Sequence, residues 1–396
     1  MKPIIQTAIA TSILFSLAAC SSNPANLDLT AKAKQMAQQH IIIDTHIDVP
    51  YRIYNRWEDM SQATEIGDFD FYRAIQGGLN VPFMSIYIPA SYEESGGSFQ
   101  LANQLIDSME ALVGRAPHKF AMAPDSKDVI AQFGSGKISL ALGIENGTPI
   151  EGKLENLQHF YDRGVRYITL AHSKSNHISD SSYDSNHQWQ GLSPFGKELI
   201  AAMNNIGMMV DISHVSDDAF YQAVAISKVP VIASHSSARH FTPGFERNMD
   251  DKMIKALAKN GGVIQVNFGS SFVTHQANQY GALRAAAAKK AGVANDRDFA
   301  AKFKAENPYP FASLDNVLDH IDHVVKLVGI DYVGIGSDYD GVGDSLPEGL
   351  KDVTSYPNLI AGLLGRGYSE ADIEKILSGN FLRVWRQVEA YAAAQK

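Results

Sequence analysis

The sequence predicts a (β/α)8 barrel, the TIM-barrel fold, because apolar, β-branched runs alternate with amphipathic helical segments along one chain of 396 residues. The runs are mostly continuous rather than alternating, as expected for parallel strands covered on both faces. A doubly wound open sheet would need a glycine-rich turn after the first strand, and "DTHID" has none. The predicted strands are "IIID" (41–44), "NVPFMSIYI" (80–88), "ISLALGIE" (138–145), "VRYITLAH" (165–172), "GMMVDISH" (207–214), "VPVIASHS" (229–236), "GGVIQVNF" (261–268) and "YVGIGSD" (332–338).

The composition is that of an ordinary globular protein, with 45% hydrophobic and 19% charged residues. The formal net charge of -9 argues against a nucleic-acid partner, because phosphate binding needs a basic surface. One segment, Ser271 to Pro310, is too long for a plain connection and contains an alanine-rich helical pattern. We expect it to be an insertion over the mouth of the barrel.

The first twenty residues have the pattern of a secretory signal: Lys2, an apolar run from Ile4 to Leu17, and then "LAAC". "LAAC" resembles the lipobox of bacterial lipoproteins, which predicts that Cys20, the single cysteine, is lipidated. The alternative is an ordinary signal peptide with a chance cysteine. We expect residues 1–20 to be the signal peptide, 21–30 a tether and 31–396 one (β/α)8 domain.

Ser21 stands where an inner-membrane retention signal would have aspartate, so the resemblance favours the outer membrane. The expected location is therefore the bacterial cell envelope, with an N-terminal lipid anchor in the outer membrane and the domain facing the periplasm.

Possible metal ligands and acids fall at the ends of the predicted strands. All strand C-termini of such a barrel face one pocket, so these residues would converge there. Imidazole and carboxylate groups without thiolate suit zinc or a similar divalent ion. For one such histidine a structural role is the commoner outcome, but the complete set favours a site. Its members are His46, Asp48, Glu145, His172, His214, His235 and Asp338.

Several motifs together resemble those of the membrane (renal) dipeptidase family of metallopeptidases, in order and spacing, from about residue 40 to 385. "DISHVS" together with "SHSSAR" is quite specific to that family, whereas "DTHID" alone occurs across many amidohydrolases. The motifs are "DTHIDVP", "GIEN", "LAHSKSNHISDSS", "DISHVS", "ASHSSAR", "RNMDD" and "GIGSDYDG".

The resemblance implies a catalytic domain with two zinc ions. It assigns His46 and Asp48 to one ion, His214 and His235 to the other, and Glu145 to a bridge between them. It also makes Asp338 the acid/base residue, His172 a contact to the substrate and transition state, and Arg247 the partner of the substrate's terminal carboxylate.

The chemistry agrees with this reading, because a bound metal can lower the pKa of water from 15.7 to about 7 and so supply a nucleophile for amide hydrolysis. Asp338 can accept the proton and pass it to the leaving amine. The expected substrate is a dipeptide; a D-residue at its C-terminal position and a homodimer are left open.

Two alternatives remain. One is a related amidohydrolase acting on N-acyl amino acids or lactams, which would not need Arg247 near a substrate carboxylate. The other is a non-catalytic lipoprotein that binds metal or peptide, which should have lost Asp338 or a ligand; this chain has lost none.

Other polar residues have structural interpretations. His320 and His323 lie in "LDNVLDHIDHVVKLVG", where an amphipathic pattern predicts a solvated face. Asp340 is predicted to stabilise the turn beside Asp338. In the polar loop after the fourth strand, pocket lining and loop structure are equal alternatives for His177, Asp180 and Asp184.

Overall fold

The computed structural model describes residues 24–396, with side chains from residue 29 onward. Parallel strands form a barrel in the order β1-β2-β4-β5-β6-β7-β8-β9, and a short β3 pairs with β4 outside that path. The predicted (β/α)8 barrel and its eight strands are confirmed. The strands are β1 (Ile43–Ile47), β2 (Val81–Tyr87), β3 (Phe120–Met122), β4 (Ile138–Glu145), β5 (Val165–Thr169), β6 (Met209–Asp211), β7 (Ile232–Ser236), β8 (Val263–Val266) and β9 (Val333–Ile335).

The ring closes between the first strand and the segment after the last one. Ile47 and Tyr339 form a parallel bridge. The Asp48 amide donates to the Tyr339 carbonyl at 2.9 Å, and the Asp338 amide donates to the His46 carbonyl at 3.0 Å. This seam brings two predicted site segments from the two ends of the domain into direct contact.

Helices surround the barrel, and several of them begin and end at ordinary capping residues. The Ser193 side chain accepts from the Gly196 amide at one helix start, and Gly207 ends that helix with φ 93°. The helices are α1 (Pro24–Gln39), α2 (Val49–Asn55), α3 (Phe71–Gly77), α4 (Tyr92–Ser95), α5 (Ser98–Arg115), α6 (Ser126–Gln132), α7 (Leu154–Asp162), α8 (Pro194–Ile206), α9 (Asp217–Ile226), α10 (Asp251–Asn260), α11 (Ser270–Val273), α12 (His275–Ala291), α13 (Arg297–Glu306), α14 (Leu314–Val328), α15 (Tyr356–Gly365), α16 (Glu370–Glu374) and α17 (Asn380–Ala393).

The first helix begins at Pro24 rather than near residue 30, so it covers much of the segment predicted as a tether. Cys20 and the predicted signal peptide lie outside the described residues. Within residues 24–396, no helix combines the length and apolar character needed to cross a bilayer.

The apolar core has two parts. One fills the space between the strands and the surrounding helices. The other fills the amino-terminal end of the barrel interior, where Phe83 and Tyr167 pack against Phe381 and Trp385 of α17. That end is therefore closed, and the strand C-termini are left as the open end of the barrel.

The predicted insertion carries α11, α12 and α13, and α12 is the alanine-rich helix. Its first residues, Ser271 and Phe272, line the cavity at the open end.

The prediction of a solvated face on α14 is wrong for His320, which is 0% exposed. The Ala238 amide donates to His320 Nδ1 at 3.0 Å, so His320 Nε2 is protonated and donates to the Val273 carbonyl at 2.9 Å. The α11 segment covers this face, which periodicity within α14 could not reveal. His323 is partly buried and bonds Asp251 at 2.7 Å.

Candidate metal centre and active site

Glu145 lies at the centre of the predicted site, at the end of β4 and 4% exposed. Its two carboxylate oxygens face different imidazoles. Oε2 lies 3.4 Å from His46 Nε2. Oε1 lies 3.0 Å from His214 Nε2 and 3.2 Å from His235 Nε2. The carboxylate thus divides the surrounding donors into two groups.

The first group contains His46, Asp48 and Asp338, whose donor atoms lie within 4.8 Å of one another. His46 Nε2 is 3.5 Å from Asp48 Oδ2. On the other side of Glu145, the Nε2 atoms of His214 and His235 are 2.8 Å apart. The structure therefore brings all five predicted metal ligands together around Glu145.

The protonation of His46 is set by Tyr167. The Tyr167 hydroxyl donates to the Thr45 carbonyl at 2.9 Å, so its oxygen accepts from His46 Nδ1 at 2.9 Å. In the neutral imidazole the lone pair of His46 is then on Nε2, which is buried without a hydrogen-bond partner among the described residues. An unpaired buried nitrogen beside two carboxylates is costly unless a cation binds there.

Asp211, through Ser234, orients the imidazole of His235 in a similar way. The Ser234 hydroxyl donates to Asp211 Oδ2 at 2.6 Å and accepts from His235 Nδ1 at 2.8 Å. Asp211 also accepts from the Ser213 and Ser234 amides, at 3.1 and 2.8 Å. His235 Nε2 therefore carries its lone pair toward Glu145.

The electrostatics fit a cation site. Burial alone would raise the pKa of Glu145, but His46, His172 and the other histidines hold it well below its usual range. Carboxylate and imidazole donors at this spacing match the ligand set of zinc and similar divalent ions. The donor set fits a metal centre.

Asp338 and His172 lie beside this centre. Burial, followed by the charge of Asp48, raises the pKa of the Asp338 carboxyl to about 7. Asn267 Nδ2 donates to Asp338 Oδ2 at 2.7 Å. His172 Nε2 is 3.4 Å from Glu145 Oε1, and burial lowers the pKa of this histidine, so its imidazole is neutral.

Backbone geometry aims two of these side chains. His214 and Asp338 have φ of 69° and 65°, in the left-handed region that non-glycine residues seldom adopt. A Cβ on Gly341 would lie 2.3 Å from both Asp48 Oδ2 and Asp338 Oδ1. Glycine at position 341 is therefore required for the two carboxylates to approach.

Arg247 is brought to the centre but is 3% exposed. Its guanidinium donates to the Ser236 hydroxyl and the His235 carbonyl, both at 2.7 Å, and Nη2 lies 3.1 Å from His214 Nε2. Its Nε has no partner in the described part of the chain. The predicted contact with a substrate carboxylate would have to use donors that lie behind the cavity surface.

The open end of the barrel holds a cavity of about 760 Å³. Its wall includes the candidate acid/base residue and several aromatic and basic side chains from α2 and the loops. Its charged lining residues include Asp48, Arg52, Arg56, Glu145, Asp338 and Asp340.

The polar loop after β5 has a structural role. His177 bonds Glu93 at 2.9 Å, Asp180 accepts from the Gly191 amide at 2.9 Å, and Asp184 accepts from the Ser175 amide at 3.1 Å. Asp340 stabilises its turn, as predicted, by accepting from Arg52 Nε and the Asp68 amide.

Sequence reasoning missed Tyr167, Asp211, Ser234 and Gly341. Asp211 and Ser234 stand within the quoted motifs "DISHVS" and "ASHSSAR" or directly beside a predicted ligand, which was a usable signal. Tyr167 gave none, because an aromatic residue inside an apolar strand predicts core packing.

A (β/α)8 barrel with a carboxylate-centred imidazole cluster at its open end defines the class of metal-dependent hydrolases. The profile of the membrane dipeptidase family, peptidase family M19, matches residues 30–396. Dipeptidase tcpJ of Claviceps purpurea is 34% identical over 348 residues, covering 86% of this chain and 74% of that protein.

Two solved structures are similar. The probable dipeptidase PvdM from Pseudomonas aeruginosa has a TM-score of 0.82 and 25% identity, covering 93% of this chain and 100% of that chain. A metallopeptidase from Rhodobacter sphaeroides, liganded with a phosphinate mimic of L-Ala-D-Ala, has a TM-score of 0.74 and 22% identity over 88% and 99% of the two chains. The chain belongs to the membrane dipeptidase family and is a metal-dependent dipeptidase.

Proposed function

We propose that the protein is a binuclear zinc dipeptidase that hydrolyses free dipeptides. The observation that carries this proposal is the division of donors around Glu145, with His46 on the side of Oε2 and His214 and His235 on the side of Oε1. A carboxylate with nitrogen donors on both sides is suited to bridging two cations. His46 and Asp48 would hold one ion, and His214 and His235 the other.

The bound ions would supply an activated water and polarise the scissile carbonyl. Asp338 accepts a proton at a carboxylate oxygen and delivers it to the leaving amine; the raised pKa of this carboxyl, about 7, suits both transfers near neutral pH. His172, neutral and partly exposed in the cavity, is placed to contact the carbonyl oxygen of the substrate.

The substrate class is supported by family membership and by the dipeptide mimic bound to the Rhodobacter sphaeroides metallopeptidase. That mimic has a D-residue at its C-terminal position, so L,D-dipeptides belong in the first substrate screen beside L,L-dipeptides.

The experiment is to assay purified protein with L,L- and L,D-dipeptides before and after chelation, and to measure bound metal. We expect two zinc ions per chain, and activity that chelation removes and zinc restores. Glu145→Gln should lower kcat/KM by about 10³-fold, because several kcal/mol of transition-state stabilisation are lost. At most one ion per chain after zinc supplementation would overturn the binuclear assignment.

The role of Arg247 distinguishes a dipeptidase from an amidohydrolase that acts on other amides. A bidentate contact with the terminal carboxylate would fix the peptide over the metals, so dipeptides should be cleaved far better than their C-terminal amides. Arg247→Ala should reduce turnover of the dipeptide more than that of its amide, because only the dipeptide also loses the carboxylate contact. Equal turnover of both by the parent enzyme would favour the broader amidohydrolase, acting on N-acyl amino acids or lactams.

We also propose an N-terminal lipid anchor at Cys20, on the strength of the "LAAC" motif, with the domain facing the periplasm. Cys20→Ala should yield a soluble or unprocessed form. Membrane fractionation and an intact mass identical to those of the parent would contradict the anchor.

Gel filtration of the protein without residues 1–20 tests for a homodimer.

A further inference from the structure

Two arginines of the α2 segment line the cavity one helical turn apart, and their surroundings differ. Arg52 is held from several sides. Its Nε donates to Asp340 Oδ2 and its Nη1 to Glu58 Oε2, both at 2.9 Å, and its Nη2 donates to the Phe69 carbonyl at 3.0 Å. The charge of Arg52 is balanced, and its direction is fixed.

Arg56 is exposed, and its side chain makes no hydrogen bond, ion pair or ring contact with the described residues. Its backbone is nevertheless ordered by helix α2, since its amide donates to the Arg52 carbonyl at 2.8 Å. The fold thus presents a guanidinium to the cavity without giving it a partner.

The other charges on the cavity wall already have roles. Asp48, Glu145 and Asp338 face the candidate metal centre, and Asp340 balances Arg52. Arg56 is therefore an unbalanced positive charge beside the space that a substrate would occupy.

We propose that Arg56 is a specificity-determining residue that favours dipeptides with an acidic side chain. This inference rests on the proposed dipeptidase function. A carboxylate is the group that a guanidinium recognises best, through paired N–H···O contacts. The terminal carboxylate of the substrate is assigned to Arg247, so the carboxylate that meets Arg56 is that of an aspartate or glutamate side chain.

The expected effect is moderate because Arg56 is exposed. Solvent-exposed ion pairs contribute up to about 1 kcal/mol, which corresponds to roughly five-fold in kcat/KM. Salt should weaken the preference, since the screening length is only about 10 Å at 0.1 M and falls further as salt is added.

The test compares acidic substrates with neutral substrates of nearly the same shape. We would measure kcat/KM for L-Ala-L-Asp against L-Ala-L-Asn, and for L-Asp-L-Ala against L-Asn-L-Ala. The proteins are the parent, Arg56→Ala, Arg56→Glu and the control Lys34→Ala, which removes a positive charge from the exposed face of α1, away from the cavity lining.

We expect one Asp/Asn ratio to fall about five-fold in Arg56→Ala, to fall further in Arg56→Glu, and to stay unchanged in Lys34→Ala. The pair that responds identifies which substrate residue meets Arg56. In Arg56→Glu, L-Ala-L-Lys or L-Lys-L-Ala should improve correspondingly.

Unchanged ratios in Arg56→Ala, or an equal loss on every dipeptide, would overturn the inference. Hydrolysis of L-Ala-L-Ala separates this failure from failure of the proposed function. If the parent cleaves L-Ala-L-Ala while the ratios do not respond, only the role of Arg56 is wrong.

Discussion

The two ends of the barrel interior are built from the same strands but differ in how their buried groups are satisfied. At the amino-terminal end, Phe83 packs against Tyr167 and Trp385 with ring centroids 5.6 and 5.2 Å apart. At the carboxyl-terminal end, His46 and Glu145 are just as buried, yet His46 Nε2 has no hydrogen-bond partner among the described residues. Apolar burial stabilises the fold, whereas buried unpaired polar groups cost stability.

Tyr167 joins the two ends. Its ring belongs to the apolar cluster, and its hydroxyl accepts from His46 Nδ1. A Cβ on Gly143 would lie 2.0 Å from this ring, so glycine there makes the space that Tyr167 fills. One residue of the apolar end thus orients a candidate metal ligand at the other end through its hydroxyl group, while the packing around its ring serves stability.

The largest expected effect is on catalysis at the carboxyl-terminal end. Asp338→Asn should lower kcat by about 10²–10⁴-fold, because the proposed general acid/base is lost. Asparagine tolerates the positive φ of this position and keeps a contact to Asn267. The melting temperature of the metal-free protein should stay the same or rise, because a buried carboxylate beside Asp48 is removed. A variant with parental kcat would show that Asp338 is not the acid/base.

At the apolar end, a substitution should lower stability and leave catalysis unchanged. Trp385→Ala should lower the free energy of unfolding by about 3–5 kcal/mol, because it leaves a large cavity in the closed end of the barrel. The kcat of the folded fraction and its zinc content should not change. Trp385→Phe is the matched control and should cost less, since the indole Nε1 has no partner among the described residues. Loss of zinc in Trp385→Phe would show that the ends are not separable.

Tyr167→Phe tests the link between the ends. The ring stays, but the hydrogen bond that orients His46 is lost, so zinc affinity should fall about 10–100-fold. A competition titration with a chelator measures this affinity. If Tyr167→Phe kept the zinc affinity of the parent but lost stability, the expectation would be contradicted. Tyr167 would then serve only in packing.

The last expected effect concerns the pH dependence of stability and the polar contacts around α11. Burial lowers the pKa of His320 to about 4, so the unfolded chain takes up this proton below about pH 6.5 while the folded protein does not. His320 therefore contributes stability above pH 6.5 that is lost as the pH falls toward 4, with a slope of at most about 1.4 kcal/mol per pH unit. Urea unfolding at several pH values should show a smaller slope for His320→Gln than for the parent. If the parent and His320→Gln showed equal slopes, a group other than His320 would cause the pH dependence of stability.

The sequence predicted the barrel and the position of its ligands because both depend on local patterns. Continuous apolar runs mark buried parallel strands, and residues at strand ends share one face whatever their distance along the chain. The sequence alone therefore predicts that His46, Glu145 and His235 lie together.

The features that the sequence does not predict depend mainly on contacts between distant elements. "VRYIT" predicts that Tyr167 is buried, but the pairing of its hydroxyl with His46 arises across the barrel interior. The pattern of α14 defines its own faces, but not that α11 packs over His320. The three residues of β3 are too few for periodicity to separate them from a loop.

The seam between β1 and the segment after β9 has a consequence for folding. The Ser337 amide donates to Asp44 Oδ1 across 293 residues of chain, and Asp338 reaches the metal centre through the same seam. Contacts of such long range form late, because they require loop closure over the entire domain. A nascent chain lacking its last strand would expose Asp48 without Asp338 opposite it. High-affinity metal binding should therefore appear only once this seam has closed, which makes metal uptake a reporter of barrel closure.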